Sequence, residues 1–150
     1  MVKVFQGNIE LLRPAAEKWR AECNSKTMGI DIDIETHLAD LRRLVSQDNS
    51  DLLVCRDGDA VIGYMGLIVI DSPVGPQKMA NEHYWYVVPE RRGTLGLRFL
   101  KAAELWAQIN QCSHLLMNAS HLASNLHDRV CKLYEQFGME PFETTYIKRV

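Results

Sequence analysis

The chain has 150 residues, of which 47% are apolar and 24% are charged, and its formal net charge is −2. A chain of this length can bury roughly two thirds of its unfolded surface, so we expect a single domain over residues 1–150. The composition excludes disordered and fibrous classes, and the small negative charge argues against nucleic-acid binding.

The first third of the chain predicts two amphipathic helices after a short strand over residues 2–5. Apolar residues recur every three to four positions over residues 11–22, which is typical of a helix with one buried face. A second helix is predicted over residues 35–46, with leucines on one side and charged residues on the other. Residues 30–34, where isoleucine alternates with aspartate, fit either a loop or a short strand.

The middle of the chain predicts a β-hairpin, a break and a further strand. Residues 52–56 and 60–70 are two strands joined by Asp57-Gly58-Asp59, whose glycine supplies the positive φ that a tight turn needs. Proline and glycine interrupt the pattern at residues 71–76. A strand rich in aromatic and β-branched residues follows over residues 81–88.

The last third of the chain alternates helices and strands. A strongly amphipathic helix is predicted over residues 95–111, followed by a buried strand over residues 114–119. A further helix over residues 124–136 begins at Ser124 as N-cap, and a last strand is predicted over residues 144–148. The order of elements predicts a mixed α/β sheet protein.

The cysteines and apolar segments bear on metal binding and location. The four cysteines lie far apart, with no C-x-x-C pair and no zinc-type histidine spacing, so we expect buried free thiols and no metal site. The longest apolar stretch, residues 61–70, is too short to span a bilayer, and no export signal is recognisable. These features predict a cytoplasmic protein that does not bind membranes.

The segment from Tyr86 to Gly96 carries the clearest chemical signal, because a strand there ends in a basic, glycine-containing turn that leads directly into a helix. The N–H groups of a helix N-terminus bind phosphate oxygens, and arginines add positive charge. Glycine lets the backbone approach the phosphate. We therefore expect a phosphate loop formed by Arg91, Arg92, Gly93, Thr94, Leu95 and Gly96.

This segment resembles the GNAT family of acetyl-CoA-dependent N-acetyltransferases, in which a V-x-P strand precedes a Q/R-x-x-G-x-G/A loop. Val87-Val88-Pro89 matches the strand, and residues 91–96 match the loop except at Thr94, where the family has glycine. The preceding hairpin and Lys132–Met139 resemble two further family motifs in the same order. The resemblance covers residues about 52–149 and implies a GNAT fold, with a mixed, mostly antiparallel sheet flanked by helices.

The resemblance also implies roles for individual residues. Tyr134 would protonate the departing thiolate of coenzyme A, or would otherwise pack its ring in the core. Glu82 or His83 would deprotonate the amine, with Glu82 favoured, and alternation along the strand would let at most one of them face the cleft. The backbone groups of Val87 and Val88 would hydrogen-bond the pantetheine arm.

These expectations converge on an enzyme that passes the acetyl group of acetyl-CoA to a primary amine by direct attack in a ternary complex. The acceptor is left open between an amine-bearing small molecule and a protein, and so is a homodimer. The alternative, which the departure at Thr94 favours, is a GNAT-fold binding or regulatory protein with little or no activity. Residues 89–104 are also similar to small GNAT proteins encoded by bacteriophages.

Overall fold

The computed structural model describes residues 1–150 apart from the side chain of Thr27. Its centre is a five-stranded sheet whose spatial order follows the chain: Val2–Val4 (β1), Ser50–Asp57 (β2), Ala60–Asp71 (β3), Lys78–Val87 (β4) and His114–Leu116 (β5). Neighbouring strands run antiparallel, except that β4 and β5 are parallel. The predicted α/β class with a mixed, mostly antiparallel sheet is therefore confirmed.

Helices cover both faces of the sheet. The described chain forms five α-helices: Arg13–Glu22 (α1), Ser25–Met28 (α2), Ile34–Ser46 (α3), Thr94–Ile109 (α4) and His127–Gln136 (α5). Two 3₁₀ turns, Ile9–Leu12 and Pro89–Arg91, precede α1 and α4. None of the helices in the described chain is long and apolar enough to cross a membrane.

The two apolar layers approach the sheet closely through two glycines of β3. A Cβ at Gly63 would come within 2.7 Å of Phe99 of α4, and a Cβ at Gly66 would come within 2.6 Å of Leu44 of α3. Both partner side chains are fully buried. Because only glycine leaves that space, these two positions let α3 and α4 pack directly against opposite faces of the strand.

A β-bulge in β4 changes which side chains face each layer. The register pairs Tyr84 with Gly66 and Glu82 with Leu67, so His83 is an extra residue on β4. Consecutive residues of a regular strand face opposite sides, but here His83 and Tyr84 both reach α3. Glu82 pairs with a residue of the α4 layer and lies on that side.

Most predicted elements are present with bounds shifted by a few residues, but three details of the prediction are wrong. The strand after α4 ends at Leu116 instead of residue 119. The last helix begins at His127, because the hydroxyl of Ser124 accepts the N–H of Leu126 in a turn that precedes the helix. The strand predicted over residues 144–148 is absent from the described sheet.

The missing last strand has a physical explanation. Residues 140–150 are exposed throughout, and the Tyr146 side chain is 90% exposed. A segment with strand-forming residues becomes a strand only when a neighbouring edge accepts its hydrogen bonds. β5 pairs with β4 over three residues only, so it presents a short edge to a further strand.

Candidate active site

A cavity of about 570 Å³ opens where β4 and β5 separate. β5 pairs with β4 only at residues 79–81, so β4 continues past its partner and its edge enters the cavity. The first turn of α4 and one face of α5 complete the walls. The sequence-predicted residues that line it are Glu82, His83, Val87, Arg92, Gly93, Gly96 and Tyr134.

The turn before α4 leaves the N-terminus of this helix uncapped. Gly93 precedes the helix with φ 93° and ψ −113°, and no side chain of the described chain caps it. The N–H of Gly96 bonds back to the carbonyl of Gly93 at 3.0 Å, whereas Thr94 and Leu95 lie within the first turn, where N–H groups have no helical acceptor. These N–H groups and the positive end of the helix dipole suit an anion.

The two arginines of the loop point in different directions. Arg91 forms an ion pair with Asp57 in the β2–β3 hairpin and does not line the cavity. Arg92 turns inward, where its Nε donates to the carbonyl of Val87 at 3.0 Å and its Nη2 lies 2.7 Å from a carboxylate oxygen of Glu22. Arg92 is therefore the arginine that reaches the cavity.

The backbone of Val87, more than that of Val88, faces the cavity. The Val88 N–H donates to the carbonyl of Ile62 at 3.0 Å, and the Val88 carbonyl accepts the N–H of Arg91 at 3.0 Å. Both polar groups of Val88 thus stabilise the sheet and the loop. The Val87 carbonyl points to the other edge of β4, where the Arg92 side chain contacts it.

Glu82 and Tyr134 are connected through Asn118, which follows β5. The Asn118 N–H donates to a carboxylate oxygen of Glu82 at 2.9 Å, and the Asn118 carbonyl accepts the hydroxyl of Tyr134 at 2.7 Å. The Asn118 side chain also donates to the backbone carbonyl of Glu82 at 2.7 Å. Sequence reasoning missed Asn118; the available signal was an amide side chain within the apolar run from Leu115 to Ala119 of the predicted strand.

Burial sets the protonation of both groups. Glu82 is 6% exposed, and this burial raises its pKa to about 7 although the hydrogen bonds from Asn118 act in the opposite direction. Burial also raises the pKa of Tyr134, and the charge of Glu82 adds to the effect. Near neutral pH, Glu82 can therefore accept a proton while Tyr134 holds one that it can donate.

Glu82 and His83 both line the cavity, so the expectation that at most one of them faces it is wrong. The cavity extends around the open edge of β4, so both side chains line it although alternation along the strand places them on opposite faces. His83 Nε2 and the hydroxyl of Tyr84 both lie 2.8 Å from Oδ2 of Asp40 on α3. This contact holds His83 against the α3 layer.

An aromatic wall closes the α1 side of the cavity. It consists of Trp19, Tyr84 and Tyr86, and the ring centroids of Trp19 and Tyr84 lie 6.3 Å apart. The hydroxyl of Tyr86 donates to Glu22 at the end of α1, at 2.5 Å. The apolar spacing over residues 11–22 predicts a buried helix face that includes Trp19, but it does not indicate that Trp19 lines a site.

Histidines and cysteines occur near the cavity without forming a metal centre. The rings of His121 and His127 stack with centroids 3.9 Å apart. Among the residues that the structure describes, no group of three or more His, Cys, Asp or Glu side chains lies close enough together to hold a metal ion. All four cysteines are free thiols, but only Cys55 is buried and the other three are partly exposed, so the prediction of buried thiols is wrong at three positions.

Comparisons with known proteins agree with this architecture. The sequence profile of the acetyltransferase (GNAT) family matches residues 13–139. No curated relative matches the chain.

Solved structures share the fold at low sequence identity. A transcriptional regulator from Bacillus halodurans C-125 has a TM-score of 0.80 at 12% identity, with 100% of both chains covered. The ribosomal-protein-alanine N-acetyltransferase of Brucella melitensis biovar Abortus 2308 has a TM-score of 0.65 at 16% identity, covering 100% of this chain and 99% of that one. The aminoglycoside N-acetyltransferase AAC(6')-Iy in complex with CoA has a TM-score of 0.70 at 17% identity, covering 100% and 95%.

Proposed function

The chain belongs to the acetyltransferase (GNAT) family, and on that premise we propose that it transfers the acetyl group of acetyl-CoA to a primary amine by direct attack in a ternary complex. One observation carries the proposal. A single cavity joins an uncapped helix N-terminus to a buried carboxyl group with a pKa of about 7 and to a protonated tyrosine. The first suits a diphosphate, and the other two suit proton transfer.

The residues of the cavity fit acetyl-CoA as co-substrate. We assign the diphosphate to Arg92 and to the first-turn backbone of α4, that is Gly93, Thr94, Leu95 and Gly96, with Arg91 adding charge from the hairpin side. The pantetheine arm would lie along the edge of β4 at Val87, and Val88 would support it through the sheet. Acetyl-CoA supplies a thioester, which is an activated acetyl group.

Glu82 is the base that we favour for the acceptor amine. An amine of the lysine type is protonated at neutral pH and must lose a proton before it attacks. Glu82 is ionised in about half of the molecules near pH 7 and can take that proton directly or through a water. His83 is the second choice, because its Nε2 is already held by Asp40.

Tyr134 is the proton donor that we assign to the leaving sulfur. Tyr134 lines the same cavity as Glu82, and the pKa of its hydroxyl is raised, so the hydroxyl carries a proton through the neutral range. To act, it would exchange its contact with the carbonyl of Asn118 for the departing sulfur. A donor ready at that atom lowers the barrier to cleavage of the thioester.

The aromatic wall of Trp19, Tyr84 and Tyr86 is the surface that we assign to the acceptor. Flat aromatic side chains bind apolar or cationic groups of a ligand, and the tyrosine hydroxyls can orient its polar groups. An amine-bearing small molecule and a protein amine both meet this description. The free thiols support the expectation of a reducing cytoplasm, and a homodimer and a bacteriophage origin stay predictions.

A second candidate function is a GNAT-fold binding or regulatory protein with little or no catalytic activity. Thr94 favours it, because the family loop has glycine at that position and a side chain there narrows the approach of a phosphate to the backbone.

Release of free thiol from acetyl-CoA separates the two candidates. We expect the purified protein to release thiol when pools of small amines or peptides are added, and to release little without them. A matched reaction with the Tyr134→Phe variant controls for spontaneous hydrolysis. Tight binding of acetyl-CoA with no amine-dependent thiol release from any pool would support the binding protein instead.

A further inference from the structure

Trp85 lines the cavity and carries a polar group that is buried and unpartnered. Its Nε1 atom is buried and has no hydrogen-bond partner in the part of the chain that the structure describes. Buried polar groups are nearly always partnered, because a buried donor without an acceptor loses its hydrogen bond to water and gains nothing. By contrast, Nε1 of Trp106 donates to Oδ2 of Asp51 at 2.7 Å.

The six-membered ring of the Trp85 indole lies against the first turn of α4. Cζ2 and Cη2 of Trp85 lie 3.7 and 4.0 Å from the place that a Cβ of Gly96 would occupy. Nε1 lies two bonds from Cζ2 on the same edge of the ring. The indole also stacks on Tyr134, with ring centroids 6.1 Å apart and planes 25° from parallel.

The position of Trp85 in β4 separates it from the acceptor wall. Its side chain packs with the α4 layer, whereas its neighbours Tyr84 and Tyr86 pack with the α1 and α3 layer. Trp85 therefore lies between the uncapped end of α4 and Tyr134, on the side of the cavity assigned above to coenzyme A.

We propose that the indole N–H of Trp85 donates a hydrogen bond to an oxygen of bound coenzyme A. The inference rests on the proposed function, because it requires that the cavity bind this molecule. Coenzyme A offers two kinds of acceptor near the end of α4, the diphosphate oxygens and the amide carbonyls of the pantetheine arm. Either oxygen would accept the hydrogen bond of the Trp85 Nε1–H, for which the described chain supplies no acceptor. The indole N–H can act only as a donor.

Calorimetry with the Trp85→Phe variant tests the inference. Phenylalanine keeps an aromatic ring for Tyr134 to stack on and removes the N–H. We expect the dissociation constant of coenzyme A to rise about threefold to tenfold if the acceptor is a carbonyl, and about tenfold to a hundredfold if it is a charged phosphate oxygen. Titration with ADP and with pantetheine then identifies which part of the ligand loses affinity.

Trp106→Phe is the matched control, because it removes an indole N–H that already has a partner outside the cavity. We expect this variant to lose thermal stability and to keep the wild-type affinity for coenzyme A. Equal affinities of wild type and folded Trp85→Phe for coenzyme A would overturn the inference and leave the proposed function intact. Absence of binding to the wild type would instead overturn the proposed function.

The wild-type protein provides a measurement that does not depend on folding of the variant. The chain has three tryptophans, whose indole N–H signals in ¹⁵N spectra can be assigned with Trp19→Phe and Trp106→Phe. We expect coenzyme A to move the Trp85 proton downfield, as a new hydrogen bond does, and to leave the Trp106 signal in place. A Trp85 proton that does not move on saturation with coenzyme A would refute the contact.

Discussion

Replacement of Glu82 by glutamine tests the central group of the candidate site, because it should lower turnover and raise stability at high pH. Glutamine keeps the shape and an acceptor oxygen for the Asn118 N–H, but it never ionises. If Glu82 is the base, turnover should fall by roughly 10²- to 10⁴-fold, the usual contribution of a positioned base. Stability should change in the other direction at high pH, because the variant no longer buries a charge.

The size of the stability effect follows from the raised pKa. Burial moves the Glu82 pKa from 4.5 to about 7, which corresponds to on the order of 3 kcal/mol. The folded state binds the proton more tightly than the unfolded state. The stabilising contribution of protonated Glu82 is therefore fully present below about pH 4.5 and is lost as the pH rises through about 7. The unfolding free energy of Glu82→Gln relative to wild type should thus increase by that amount between pH 4.5 and pH 8.

The assay combines urea unfolding with initial rates across the same pH range. Wild-type turnover should rise with pH around a midpoint near 7, and the variant should lack this rise. Glu104→Gln, an exposed position on α4, controls for the loss of one carboxylate. Wild-type turnover in folded Glu82→Gln would remove Glu82 from the mechanism. An unchanged difference in unfolding free energy across the pH range would refute the raised pKa.

Three further outcomes are expected. Acetyl-CoA should raise the melting temperature, by about 2.7 kcal/mol of stabilisation at a hundredfold excess over Kd, while acetate should not; no shift at millimolar acetyl-CoA would contradict the cofactor assignment. Arg92→Glu should weaken coenzyme A binding in calorimetry more than Arg91→Glu, because Arg92 reaches the cavity and Arg91 pairs with Asp57; equal losses would contradict the geometry. Tyr134→Phe should lower turnover by roughly 10²- to 10⁴-fold with little change in acetyl-CoA affinity. If Tyr134 only packs in the core, the variant protein should instead lose about 1 kcal/mol of stability and keep the wild-type turnover.

The parts of this molecule that depend on local sequence, including the β2–β3 hairpin, could be predicted, and the parts that depend on the register or the free edges of the sheet could not. α3 was predicted within one residue at its start, because its leucine stripe lies within one stretch of chain. The strand over residues 144–148 was predicted wrongly for the opposite reason. Its strand-forming residues are consecutive in the sequence, but the sheet edge that they need is formed by a distant part of the chain.

The same division holds within the site. The turn before α4 could be predicted because glycine, arginine and the following helix are consecutive. The bulge at His83 could not, since it is a property of the register between β3 and β4. For the same reason the sequence does not show that Asn118 joins Glu82 to Tyr134, because these three residues meet only when β5 turns away from β4.

The bulge in β4 also divides the cavity into two parts that can mutate separately. Without it, one-residue alternation would send His83 and Tyr84 to opposite faces and mix the two sets of side chains. With it, the positions that face α1 and α3 can be randomised as a library while Glu82, Trp85 and Val87 stay fixed. Selection for activity on a new amine would then change side chains on one face of β4 only. Glu82, Trp85 and Val87 on the other face would stay as they are.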